Sequence, residues 1–119
     1  MTGRMGEDAA VLYLKKQGYK ILEQNYRTKA GEIDVIAKDG EDLVFVEVKT
    51  RSSEQFGTPA EAVTYYKKQS MVNSAKWYIA KYPTELNIRF DIVEVFGTFD
   101  GSGFECEKIN HIKQAFLEV

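Results

Sequence analysis

The segment GEIDVIAKDGEDLVFVEVKTRS, residues 31–52, sets acids and a lysine inside β-branched runs. In the second run Glu47 and Lys49 interrupt Val44, Phe45, Val46 and Val48, where a core strand would carry only apolar side chains. On an extended strand Leu43, Phe45, Glu47 and Lys49 share one face and Val44, Val46 and Val48 the other, with the Cα atoms of Glu47 and Lys49 roughly 7 Å apart. In the first run Glu32, Asp34 and Ile36 alternate with Ile33 and Val35, and KDGED has the chemistry of a tight hairpin turn, so pairing brings Asp34 beside Glu47. Two half-buried carboxylates in contact repel each other and lose hydration, and a divalent cation removes that penalty. The chemistry open to such a set is hydrolysis assisted by a hard, oxygen-loving ion, Mg2+ or Mn2+. A plainer account fits the same residues: a same-face ion pair of Glu47 with Lys49, and Asp34 accepting backbone hydrogen bonds in a turn. The residues alone leave both open.

Other chemistries are poorly supplied. The chain has one histidine, His111, and one cysteine, Cys106, too few for the usual zinc cages or for an intrachain disulfide. With 18 acidic against 16 basic residues and a pI near 5.5, it lacks the global basic signature of proteins that grip nucleic acid by charge alone. The charge is uneven, because Lys15, Lys16, Lys20, Arg27 and Lys29 face only Glu23 within residues 15–29.

The elements that must position these residues read as one domain spanning residues 1–119. Residues 5–17 form a helix closed by Gly18, with Glu7, Ala10, Val11 and Leu14 along one stripe. Strands follow at 19–26, 32–38 and 43–50. GTPAEAV then starts a second helix, with Thr58 as N-cap, Pro59 in the first turn and Glu61 closing a capping box, and this helix runs to about Lys81. A further strand covers 88–96, and HIKQAF is a weaker candidate for a terminal strand or helical turn. The order is α-β-β-β-α-β, a mixed α/β sheet flanked by helices. No apolar run approaches a membrane span and no secretory signal opens the chain, so a cytoplasmic protein without a membrane partner is expected.

The blocks GEIDVIA, LVFVEVKTR, FGTPAEAV and RFDIVEV, in that order over residues 4–96, resemble the YraN-like family of small bacterial proteins. That family is grouped by its motifs with the PD-(D/E)xK nuclease superfamily and is similar to archaeal Holliday-junction resolvases. The resemblance implies a restriction-endonuclease-like fold and a metal-dependent endonuclease acting on DNA, branched DNA among the candidate substrates. Asp34 stands at the first motif acid, with Ile33 in place of the nominal proline, and Glu47, Val48 and Lys49 form the ExK triplet. It further implies that Asp34, Glu47 and the backbone carbonyl of Val48 hold Mg2+ or Mn2+, that Lys49 orients and helps deprotonate the attacking water, and that Glu7 is an outer ligand. Lys68 or Gln69 of the second helix would reach the scissile phosphate.

Several residues carry two readings from sequence. Lys68 either points toward the sheet near the phosphate or snorkels to solvent. Arg51 binds phosphate or caps its strand, and Lys15 and Lys16 belong to a nucleic-acid-binding face or to a solvated one. Tyr65, Tyr66, Trp77, Tyr78 and Tyr82 make a base-stacking set or, at helical spacing, part of the core. Two further functions remain open, a nucleic-acid-binding module of nuclease fold with negligible catalysis and a protein-interaction domain in which the acids pair with Lys49 and Arg51. Oligomeric state is not legible in the sequence, and a homodimer is one option.

Overall fold

The computed structural model describes residues 2–55 and 64–116. Helix α1 (Thr2–Lys16) is stopped as the sequence suggests: Gly18 adopts φ 93°, its N–H donates to the Lys15 carbonyl, and the Tyr19 N–H donates back to Leu14, each at 3.0 Å. Five strands form the sheet: β1 (Lys20–Thr28), β2 (Gly31–Asp39), β3 (Asp42–Ser52), β4 (Asn87–Asp100) and β5 (Gly103–Phe116). Helix α2 (Tyr65–Lys81) connects β3 to β4. The sheet has the order β1-β2-β3-β4-β5, antiparallel throughout except for the parallel pair β3–β4 that the crossover through α2 requires. The expected α-β-β-β-α-β order is present, with the weak C-terminal signal becoming a full edge strand, β5.

The proposed capping box at Thr58, Pro59 and Glu61 lies outside the described residues. Within them, α2 is capped by Thr64, whose hydroxyl accepts the Lys67 N–H at 3.1 Å.

Each face of the sheet buries one helix. Val35, Ala37, Val44, Val46, Val93 and Val95 pack against Ala10, Val11 and Leu14 of α1. Ile33, Ile36, Leu43, Phe45 and Phe90 pack against Met71, Val72, Ala75 and Tyr78 of α2. Alternation fails at one place in β2: Ile36 and Ile33, three residues apart, lie on the same α2 side, while Val35 and Ala37 lie on the α1 side. Asp34 sits at this switch. Opposite it on β1, Asn25 has φ 53°, a left-handed conformation that asparagine tolerates better than most residues. No helix among the described residues is long and apolar enough to cross a membrane.

Candidate functional site

The β2–β3 ladder pairs Asp39 with Asp42 and proceeds to Val35 opposite Val46, where it ends. One more step of that register would put Asp34 opposite Glu47. The strands fork there instead, and the Val48 N–H that a continued ladder would occupy donates to Asp34 Oδ2 at 2.8 Å. Burial pushes the Asp34 carboxyl up to about 7, with the adjacent Glu47 carboxylate as the second cause, partly offset by the Val48 N–H and by Lys67. Glu47 meets the Lys67 ammonium at 3.2 Å as an ion pair without hydrogen-bond geometry, so its Oε1, cut off from solvent, has no hydrogen bond.

Glu7 approaches from α1. Burial, followed by the Asp34 charge, raises its carboxyl to about 7, while a hydrogen bond from the Asn25 side chain opposes the rise. The helix comes this close because residue 6 is glycine: a Cβ there would overlap the Thr50 hydroxyl of β3. Glycine inside a helix costs about 1 kcal/mol relative to alanine, and here the close approach explains it. Among the described residues no three His, Cys, Asp or Glu side chains already converge as a metal cage. A cation at the fork would rest on Asp34, Glu47 and a backbone carbonyl, with Glu7 outside them. That set fits a hard divalent ion, because it leaves a buried carboxylate oxygen without a hydrogen bond and a neighbouring carboxyl kept near neutrality by its surroundings.

The remaining sequence candidates are distributed unevenly. Lys49 is half-buried on β3, and among the described residues no carboxylate stands at ion-pair distance from it, so the Glu47–Lys49 pair does not form. Arg51 binds Glu94 at 2.7 Å, and Asn110 donates to the other oxygen of Glu94, so its guanidinium is held against β4 and does not pair with the acids of the fork. Lys68 turns away from the acids, its ammonium 5.7 Å from the Phe116 ring centroid, and its neighbour Lys67 takes the position beside Glu47. Gln69 is half-buried on α2. Lys15 and Lys16 are exposed in the last turn of α1, about 12 Å along the helix from Glu7 at 1.5 Å per residue. Of the five aromatics, Tyr78 is core, edge-on to Tyr26 and Phe45, and Tyr65, Tyr66, Trp77 and Tyr82 are exposed.

A second polar centre was not anticipated. Asp91, wholly buried, accepts from His111 Nε2 at 2.7 Å, from Arg89 Nε at 2.9 Å and from the Gln114 N–H at 3.0 Å. Arg89 also reaches Asp42 at 2.7 Å and Asp39 at 3.1 Å, and Tyr13 closes the chain at His111 Nδ1. Burial alone would raise the Asp91 carboxyl, but His111, Arg89 and the Gln114 amide outweigh it and hold it below the ordinary value. The register shift between Phe90 and Ile92, with Gln114 at φ 50°, frees that amide. Both aspartates, Asp34 half-buried and Asp91 buried, thus accept an N–H liberated where a ladder breaks.

The fold and the fork define a small α/β protein with a carboxylate pair at the mouth of a splayed hairpin. The model of the uncharacterised protein family UPF0102 matches residues 6–95. The chain is 49% identical over 116 residues to a UPF0102 protein of Caldanaerobacter subterraneus, covering 97% of this chain and 93% of that one. It is 46% identical over 117 residues to one of Clostridioides difficile (96% and 95%) and 47% over 118 residues to one of Alkaliphilus oremlandii (96% and 96%). The protein belongs to the UPF0102 family, the YraN-like group its motif blocks resemble.

Proposed function

We propose that this protein is a divalent-metal-dependent nuclease that hydrolyses phosphodiester bonds in DNA, branched DNA included. One observation carries the proposal: two carboxylates, Asp34 and Glu47, are packed together at a strand fork, where burial first and the Glu47 charge second raise the Asp34 carboxyl, and Glu47 Oε1, 3.2 Å from the Lys67 ammonium, makes no hydrogen bond among the described residues. A merely structural strand end would gain by replacing Asp34 with a neutral residue.

Asp34, Glu47 and the Val48 carbonyl would hold Mg2+ or Mn2+, with Glu7 as an outer partner. The bound ion supplies charge neutralisation at the phosphate and a more acidic water. Lys49, free of carboxylate partners among the described residues, orients the attacking water and shares its proton. Lys67 stands in the first turn of α2, where the helix dipole also favours an anion, and positions the phosphate beside Glu47. Asn25 steadies Glu7 through its side chain.

The test is cleavage of linear, single-stranded, flap and four-way DNA in Mg2+ or Mn2+, beside Asp34→Asn. Cleavage by wild type that the substitution abolishes is expected, and cleavage retained in Asp34→Asn at the wild-type rate would overturn the assignment. The Lys67–Glu47 ion pair, which places an ammonium where a cation would need the carboxylate, favours a second reading, a nucleic-acid-binding module with negligible hydrolysis. Binding in Ca2+ without cleavage in Mg2+ or Mn2+ would select it.

A further inference from the structure

Trp77 is the chain's only tryptophan and is 49% exposed, an unusual place to leave an indole that could bury well over 100 Å2 of apolar surface. It forms the shared wall of two open depressions. One, of about 420 Å3, is lined by Ala30, Asn73, Lys76 and Ala80, small or flexible residues that leave the ring uncovered. The other, of about 430 Å3, is lined by Tyr26, Arg27 and Thr28 at the end of β1 and Lys29 of the turn that follows. That turn is fastened to α2: the Ser70 hydroxyl donates to the Ala30 carbonyl at 2.9 Å and Ser74 bonds Thr28 at 3.0 Å, so the indole stands against a rigid rim. Gly31 permits the contact, since a Cβ there would overlap the Ser70 hydroxyl.

The charge around the ring is mostly basic, with Arg27 of the second depression paired to Glu32 at 3.0 Å. Helix α2 contains Lys67, Lys68, Lys76 and Lys81 and no Asp or Glu, in a chain whose acids outnumber its bases 18 to 16. Lys29 and Lys76, each lining one of the two depressions that share Trp77, are exposed and make no ion pair among the described residues. An aromatic face between ammonium groups matches a base between phosphates. Along α2, Trp77 lies ten residues from Lys67, about 15 Å, which is roughly four nucleotides of stacked strand at ~3.4 Å each.

We propose that Trp77, between Lys29 and Lys76, is a stacking platform for an unpaired base of the nucleic-acid strand whose scissile phosphate lies at the Asp34–Glu47 fork. The platform deepens the nuclease reading and rests on it. It makes the preferred substrate one with unpaired nucleotides a few positions from the cut, because a base inside a duplex cannot present its face to the indole.

Trp77 reports its own occupancy. The full chain, in Ca2+ at low salt, is titrated with a 12-nucleotide oligothymidylate, a forked duplex and a blunt duplex of the same sequence. Tryptophan emission and the anisotropy of labelled DNA are read together, with Mg2+ cleavage run in parallel. Emission is expected to fall by more than half with the first two DNAs and little with the third. Trp77→Ala should weaken binding of the oligothymidylate about 10-fold, with Trp77→Phe close to wild type. Lys29→Ala with Lys76→Ala should lower the salt slope by about 1.4, the equivalent of two phosphate contacts on a single strand. DNA binding with unchanged emission and an unimpaired Trp77→Ala overturns the platform, and cleavage in that case leaves the nuclease reading standing. Quenching with no cleavage of any substrate supports the platform and removes the nuclease. An acidic peptide that quenches Trp77 when no nucleic acid does overturns the platform, and only the further lack of cleavage of every substrate removes the nuclease as well.

Discussion

Asp34→Asn tests the repulsion at the fork without any substrate. At pH 8 in EDTA the wild-type protein must hold Asp34 ionised against burial and the Glu47 charge, which push its carboxyl from 3.8 up to about 7. At ~1.36 kcal/mol per unit, that rise withholds about 4 kcal/mol from the ionised form, which is the ceiling for what a neutral isostere can recover. Asparagine keeps an acceptor for the Val48 N–H and turns an NH2 toward Glu47, whose buried oxygen has no hydrogen bond. Opening of the fork already relieves part of the repulsion, so about half the ceiling is expected, ~2 kcal/mol or about 8 °C in Tm for a domain this size. The sign with pH follows from the raised value. Asp34's contribution to wild-type stability is fully present below its unfolded value near 4 and is lost as pH rises through about 7. The advantage of Asp34→Asn should therefore be small at pH 4.5 and complete by pH 8. Urea or thermal melts at several pH values in EDTA read this directly, and in millimolar Mn2+ the order should reverse as the wild type alone is stabilised by mass action. A mutant less stable than wild type by the same amount at every pH, with a wild type indifferent to metal, would refute the reasoning.

Lys67→Ala removes the cation paired with Glu47 among the described residues; it should lower metal-free stability at pH 8 by about 0.5–1 kcal/mol and enlarge the Mn2+-induced rise in Tm, both read by thermal melts. Gly6→Ala, which helix propensity alone would favour, should destabilise by about 1–3 kcal/mol in urea because the new methyl meets the Thr50 hydroxyl, and Thr50→Ala in the same chain should recover part of the loss. Asp91→Asn should cost about 3–5 kcal/mol by stranding Arg89 and His111. Because Asp91's carboxyl is held low, its contribution is present at neutral pH and lost only as pH falls through that lowered value, opposite to the behaviour of Asp34.

The β2–β3 hairpin was legible because its signals agree: β-branched runs with a period of two, a turn-forming KDGED, and acids placed at one end. The stop of α1 was equally plain in Gly18. What escaped was phase and compensation. The apolar stripe of α2 nominated Lys68, but Ser74, polar and wholly buried, belongs to the packed face because it bonds the β1–β2 turn, and its presence favours Lys67 over its neighbour. A serine gives no hydrophobic signal, so periodicity could not find that face. Strand β5 reads weakly for a related reason: at the edge of the sheet half of its residues are exposed, and the histidine and asparagine it carries find their partners in Asp91 and Glu94 on β4. Asn25, in its left-handed conformation opposite Asp34, has the residue type such a position favours, although no neighbouring turn motif flags it.

The parallel pairing of β3 with β4 bears on the order in which the chain assembles. The hairpin that carries Asp34 and Glu47 closes over a two-residue turn and forms locally, whereas Lys67 arrives only with the crossover, after a loop more than thirty residues long has closed. The nascent hairpin therefore meets its two acids before their cation. Zipping should begin at Asp39–Asp42 and stall one step short of the acids, at Val35–Val46, where the finished ladder also ends. A refolding buffer at about pH 4, by neutralising one still-exposed carboxyl, should speed this step, and non-local closure of the β3–β4 pair would then set the overall folding rate.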